Sequence, residues 1–398
     1  MSAQRRPEPR AALPLAAPRV LFTITSSDIG GAEMILRELA LRLDRAAFRP
    51  LVCSLRAPGR IADEIAAAGV PVVSLELGDA ARARDLTAGA LRLARLIDQH
   101  SVDVAHSFLY RANLLTRLAG RLARRRPAVV TGHHTLTPYA GAAATLSSRV
   151  TRGLSDCLVA PSQAVRQALV DKERVARERI VVIENGVDAA RFDRRPGAAL
   201  RAELGLAPET VLVGFVGRLS FEKRLVDLLA SVAALRARRL PMHAVIIGDG
   251  AERPGLEAAI RGLGLQGHAT LLGVRRDLPP LYAAMDVFAL PSMEEAAPTV
   301  LLEAMACGRA VVATRVGGAA DMVEDGVSGL LVDPERPAEL TAALAALAAD
   351  AALRARLGAA AHRRVRAHFT VERMVDRHAE LYRRLRPAAS ESGSSQVR

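Results

Sequence analysis

Residues 291–318, PSMEEAAPTVLLEAMACGRAVVATRVGG, hold carboxylates at a spacing that could serve ligand hydroxyls. Pro298 suits the first turn of a helix and Gly308 its end, which puts Glu303 near the helix start and Glu295 in the loop before it. Two carboxylates then approach one spot from a loop and a helix. The unbonded amides of Thr299, Val300 and Leu301 would point the same way and form an anion site. Carboxylates for hydroxyls beside amides for phosphate suit a nucleotide sugar. The same acids, Glu294 included, would also suit a plain helix amino end.

A cationic pair stands in VGRLSFEKR (216–224), with Arg218 just after a strand and Lys223 at the start of the next helix. Guanidinium grips phosphate in bidentate fashion and ammonium adds a compact charge, so together they could stabilise a departing diphosphate. Of 55 basic residues only Lys172 and Lys223 are lysines. A lysine at 223 therefore points to a need for its small head and flexible stem, although a solvated helix start would also accept it. Gly30 and Gly31 in SSDIGGAEMI could admit a phosphate to a helix amino end or simply turn the chain; Gly248 and Gly250 in IIGDGAER are equally open. His106 and His134 end strands of the first half, where imidazole can position a hydroxyl; His106 and Asn113 are taken as acceptor-side candidates. The histidines lack a close carboxylate at ligand spacing, so no metal site is read.

These residues need strands and loops to place them. Apolar, β-branched runs occur at 19–25, 50–54, 70–75, 102–106, 128–132, 157–160 and 180–183, mostly with helical patterns between. A second series runs 211–217, 243–248, 269–273, 286–290, 310–314 and 329–332. Such alternation predicts two α/β domains, each a doubly wound parallel sheet of Rossmann-like type, facing a cleft beyond the carboxyl ends of the strands. Expected boundaries are a loose tail at 1–18, a first domain at 19–190, a linker at 191–210, a second domain at 211–368, a final helix at 369–386 and a tail at 387–398.

Composition excludes other classes. Half of the 398 residues are apolar, as a folded core requires. Three dispersed cysteines give neither a disulfide framework nor a zinc knuckle, and no apolar run is fit to span a bilayer. The net charge is +13, of which residues 1–190 carry +9. Aromatic stacking positions are too few for nucleic acid, so phosphorylated small molecules or an anionic membrane surface are the expected partners of that basic half. The helical segment 111–127 could touch such lipid, or cover the sheet with Arg117, Arg121 and Arg124 on a solvated face.

With these segments assembled, the chain resembles the family 4 glycosyltransferases, which have the GT-B fold. The likeness runs from about Arg19 to Arg386 and is strongest from Glu184 onward: ENGVD, VGRLSFEKR, VIIGDGAER, LLGVRRDLPPLYAAMDVFALPS and the paired-glutamate segment. The resemblance implies transfer of a sugar from a nucleotide donor to an acceptor hydroxyl, with retention at the anomeric carbon and no required metal or other cofactor. It matches Arg218 and Lys223 to the pair that neutralises the diphosphate, Glu303 to the ribose ligand and Glu295 to the residue touching the donor sugar. Thr299, Val300 and Leu301 match the phosphate loop, and Val274 with Arg275 the place of the base. In the first domain Gly30 and Gly31 match a loop meeting the diphosphate, and His134 the cleft histidine near the reacting sugar. Tyr382 falls on a last helix that crosses back to the first domain.

Two positions depart from the family. Ala296 stands where glycine commonly follows the first glutamate, and His106-Ser107-Phe108 stands where HxH is frequent. The acceptor is expected to be a glycan, glycolipid or small metabolite, with a lean to cell-envelope or exported polysaccharide, and the enzyme to be cytoplasmic or peripheral on the inner membrane face. A nucleotide-sugar epimerase of similar fold and a nonenzymatic membrane scaffold are the alternatives; a dinucleotide oxidoreductase lacks its complete glycine fingerprint. On these grounds Lys223→Ala is expected to keep its thermal midpoint and lose transfer.

Overall fold

All thirteen apolar runs form strands in the computed structural model, which describes residues 17–28, 30–78, 83–136, 142–193 and 197–385. The expected tails, apart from residues 17 and 18, lie outside the described residues. The first sheet contains β1 (Arg19–Ile24), β2 (Arg49–Ser54), β3 (Val72–Ser74), β4 (Val104–Phe108), β5 (Ala128–Gly132), β6 (Cys157–Ala160) and β7 (Ile180–Val182). Its order is β3-β2-β1-β4-β5-β6-β7 and its pairings are parallel. The second contains β8 (Val211–Val216), β9 (Met242–Ile247), β10 (Ala269–Gly273), β11 (Val287–Leu290), β12 (Ala310–Thr314) and β13 (Leu330–Val332), in the parallel order β10-β9-β8-β11-β12-β13.

Each sheet reverses direction of travel once, between β1 and β4 and between β8 and β11. Loops diverge at such switch points and leave a crevice beyond the strand ends. Carboxyl-end loops of the two sheets meet: Ser162, after β6, donates to the carbonyl of Ala296, after β11 (2.7 Å), and Asn185, after β7, donates to that of Ala297 (3.0 Å). The amide of Gln163 reaches Asp321, after β12, at 2.9 Å.

Central strands are buried on both faces by helices, which is why they read as unbroken apolar runs rather than alternating ones. The final helix, Val371–Leu385, lays Met374, Val375, Ala379, Leu381 and Tyr382 into the core of the first domain. It leaves the second domain through a bridge between Thr370 and Val187.

The stretch expected as a linker is packed: Phe192 and Leu200 join the second core, and Arg201 on the helix Ala198–Glu203 pairs with Asp286 at 3.0 Å. One expectation changes here. Arg117, placed on a solvated face, is buried; it donates to Ser155 at 2.8 Å and toward Thr131 at 3.4 Å, so its helix Tyr110–Leu122 covers the sheet with a hydrogen-bonded cation inside.

Candidate active site

The second switch point gathers the cationic and acidic residues. After β8 the chain makes a single turn, Phe221–Lys223, ended by Arg224 in the left-handed region (φ 52°), and Arg224 is held there by Asp227 at 2.8 Å. This turn aims Lys223 across to the loop after β11, where Nζ meets Glu295 Oε1 at 2.7 Å. Ser292 donates to the same oxygen at 2.6 Å. With side-chain exposures of 18% and 9%, the pair is largely shielded from water. The loops are tied again by the Met293 amide and the Glu222 carbonyl (2.8 Å).

Arg218 differs. Its side chain is 75% exposed and reaches only Glu222, at 3.3 Å, so the guanidinium stands at the mouth of the site, ready for an anion. Gly317 supports the acidic side: its φ is +49° and a Cβ would lie 1.5 Å from the Glu295 carbonyl oxygen, so only glycine fits. Gly248 is fixed likewise, with φ +135° and a Cβ position 1.8 Å from the Gly217 carbonyl, so its role is close backbone approach beside Arg218.

Glu303 sits in the helix Thr299–Ala306 and accepts a hydrogen bond from Tyr282 at 2.7 Å. Burial pushes its carboxyl up to about 7, partly offset by that bond and by Arg191. Tyr282, buried and beside this acid, stays a phenol because its own ionisation is pushed well above the usual range. The open anion end is smaller than expected: the Leu301 amide donates to the Pro298 carbonyl at 3.2 Å, closing the first turn and leaving the amides of Thr299 and Val300. Val274 is 67% exposed on the loop after β10, offering an apolar face, while Arg275 is engaged by Asp277 (3.0 Å) and Glu203 (3.4 Å).

On the first domain, Gly30 caps the helix Gly31–Arg42, and a Cβ there would lie 2.3 Å from Glu33 Oε2. Glu33, missed by sequence reasoning, thus folds its carboxylate over the glycine loop that was read as a phosphate contact. Burial raises the pKa of that carboxyl, opposed by its own amide, with Asp28 adding to the rise. An acid in the first turn of a helix after two glycines was the available signal.

His134 follows β5 and is half-buried; burial lowers its pKa to about 4, with His378 adding to the effect, so its imidazole is neutral and can position a hydroxyl. His106 and Asn113 are not open to an acceptor. His106 is buried, with Nδ1 2.7 Å from the Tyr382 hydroxyl. Asn113 is also buried; it accepts from Ser107 (2.8 Å) and donates to the Gly132 carbonyl (2.9 Å), which uses both ends of its amide to join β4 and β5. The strand runs two residues beyond His106, to Phe108, which places the histidine inside the sheet rather than at its end. Ala296, the departure from glycine, packs against a first-domain cluster that includes Leu158 and Val165, so its methyl group adds to the contact between domains. Among the described residues no group of three or more His, Cys, Asp or Glu is placed to hold a metal ion.

Comparisons with known proteins bear on the family and the fold. Residues 198–364 match the family described as glycosyl transferases group 1, and residues 29–191 match glycosyltransferase family 4. The D-inositol 3-phosphate glycosyltransferase of Salinispora arenicola is 34% identical over 326 residues, covering 74% of this chain and 72% of that protein. The protein of the same name from Saccharomonospora viridis is 31% identical, with 90% of each chain covered. Among solved structures, Anabaena HepE in complex with UDP superposes with a TM-score of 0.79 at 27% identity, covering 92% of this chain and 100% of HepE. HepE has also been solved with UDP-glucose. A Rickettsia africae glycosyltransferase shares the fold, with a TM-score of 0.82 at 19% identity, covering 93% of this chain and 99% of that one.

Two parallel-sheet domains that meet through the loops after β6 and β7 and those after β11 and β12, with a cationic pair and two glutamates on the second domain's side, define an enzyme of GT-B type. The chain belongs to the family 4 glycosyltransferases.

Proposed function

We propose that the enzyme transfers a sugar from a uridine diphosphate donor to an acceptor hydroxyl with retention of anomeric configuration. The observation that carries this reading is the shielded Lys223–Glu295 pair beside the open guanidinium of Arg218, at the β8/β11 switch point. Arg218 and Lys223 neutralise the diphosphate as the glycosidic bond to it breaks, and Glu303 takes the ribose hydroxyls. The amides of Thr299 and Val300 receive a phosphate oxygen, Val274 and Arg275 flank the base, and Glu295 orients the sugar. Negative charge grows on the diphosphate in the transition state, where fixed cations in a shielded cleft act most strongly. The acceptor attacks from the leaving-group face and gives its proton to the departing phosphate oxygen; neutral His134 orients the sugar or acceptor hydroxyl. With charge neutralised by side chains, turnover is expected to persist in EDTA, and restoration by magnesium after loss in EDTA would sink that part.

The donor class is supported by HepE, solved with UDP and UDP-glucose. For the acceptor we infer a small phosphorylated polyol, the class named in the relatives, which suits the +9 charge of residues 1–190. The test is UDP release from UDP-glucose with and without D-inositol 3-phosphate, followed by NMR of the product's anomeric proton. Acceptor-dependent release with retained configuration supports the reading; epimerised UDP-sugar without transfer would replace it.

A second reading of the acceptor, an envelope glycan or glycolipid met at the inner membrane face, is favoured by one surface feature. Leu146 and Val150 lie one turn apart on the helix Ala142–Thr151 at 62% and 72% exposure, beside Arg149. Apolar side chains with an adjacent cation suit an anionic bilayer surface. No helix among the described residues is long and apolar enough to cross a membrane. Salt-sensitive sedimentation with anionic vesicles, lost in Leu146→Ser/Val150→Ser, would favour this second reading; absence of binding would remove it.

A further inference from the structure

A column of rings runs from the final helix to His134. His378 stacks on His106 with centroids 5.6 Å apart and planes 25° apart. His106 lies 4.4 Å from Phe108 at 32°, and Phe108 stacks on His134 at 5.5 Å and 19°. Tyr382, one turn beyond His378, meets His106 edge-on at 5.8 Å and bonds Nδ1 at 2.7 Å. His378, His106, Phe108 and Tyr382 are all buried, so this bond is made without competition from water.

The other nitrogen of His106, Nε2, is buried without a hydrogen-bond partner. Gly132 marks its direction: a Cβ there would be 3.4 Å from His106 Nε2 and 3.1 Å from His134 Nε2. The two imidazoles therefore converge on the gap that glycine leaves at the end of β5. In the tautomer whose Nδ1 accepts from the phenol, the remaining ring proton of His106 sits on Nε2, toward that gap. Phe108, at a position where the family often carries histidine, cannot exchange a proton, so what it passes to His134 is orientation.

We propose that Tyr382 and Phe108 are positioning residues for His134. The final helix holds His106 through Tyr382, and the ring column fixes the plane of His134 against the reacting sugar. This makes a helix continuous with the second domain part of the support for the first domain's site. The inference rests on the reading of His134 as the cleft histidine that positions a reacting hydroxyl.

The experiment uses the full chain labelled with ¹⁵N-histidine, its ring signals assigned through His134→Ala and His106→Gln, with His243 in the second domain as the internal standard. Tyr382→Phe, which removes one oxygen, and Phe108→Leu, which removes one ring, should each move the His134 signals and leave those of His243 in place. Unmoved His134 signals in both folded variants would overturn the proposal. Turnover of UDP-glucose with D-inositol 3-phosphate separates the proposal from the reading beneath it. Each variant should lower kcat by about three- to tenfold with donor KM unchanged, as loss of one neutral contact would, and add no further loss in a His134→Ala background. Losses that multiply in that background would overturn the coupling while leaving His134 in its role. Full activity of His134→Ala would instead remove that role.

Discussion

Lys223 Nζ and Glu295 Oε1 stand 2.7 Å apart, joining the loop after β8 to the loop after β11 where the second sheet reverses its order. The pair serves the fold as well as the site, because each charge neutralises the other in a place with little water.

Lys223→Ala should therefore be less stable, not merely inactive. Removing the cation leaves Glu295 with only Ser292 on that oxygen, at 9% side-chain exposure. Removing one partner of a fully buried pair costs about 3–5 kcal/mol, and the residual exposure of this one puts it at the lower end of that range. Urea denaturation should show a lower midpoint, partly recovered by Lys223→Ala/Glu295→Gln; an unchanged midpoint would return Lys223 to a purely ligand-facing role.

Gly317→Ala should damage both stability and donor binding. The positive φ and the 1.5 Å approach to the Glu295 carbonyl leave no room for a methyl group, so the loop carrying Glu295 must shift. A loss of about 3 kcal/mol or more is expected from clash and backbone strain together. Gly326→Ala, also at positive φ (+72°) but with nothing within 4 Å of the added carbon, should be milder. Equal losses in the two variants would show that backbone angle alone decides the effect.

Glu303 predicts a pH dependence with a definite sign. Its folded carboxyl is pushed up to about 7 from 4.5, so between these values the folded chain holds a proton that the unfolded chain has released. Stability from this group is greatest below pH 4.5, falls as pH rises to about 7, and is level above that. Glu303→Gln should remove that slope, a difference of up to about 3 kcal/mol across the window. Binding runs the other way: the ionised carboxylate is the better acceptor for ribose hydroxyls, so UDP should bind more tightly at pH 8 than at pH 6 in the parent enzyme alone. Calorimetry at the two pH values checks this, and a parallel change in the Gln variant would assign it to another group.

The fold was legible because buried parallel strands leave unbroken apolar runs, and each of these runs became a strand. Strand ends were less legible, with consequences for His106: a shift of two residues moved it from an expected rim position into the sheet. Asn113 shows a related limit, since a buried amide that joins two strands has the same residue type as one that meets a ligand. Arg117 looked solvated because its partner, Ser155, is far away in sequence. The paired glutamates and the Arg218/Lys223 segment were visible from spacing, whereas the direct bond from Lys223 to Glu295 depends on how two crossover loops meet and has no local signature. The folding of Glu33 over Gly30 likewise becomes evident only with the helix in place.

Arg218 offers the cleanest test of the donor reading, since its exposed guanidinium contributes little to the fold and faces the open site. The decisive measurement is the thermal midpoint of the parent enzyme and Arg218→Ala with and without UDP, GDP, ADP and UDP-glucose. Ligand-free midpoints should agree within about 1 °C, UDP and UDP-glucose should raise that of the parent enzyme, and the rise should be largely lost in the variant. No rise with any nucleotide diphosphate, or an equal rise in both proteins, would contradict an Arg218-centred site for the donor diphosphate.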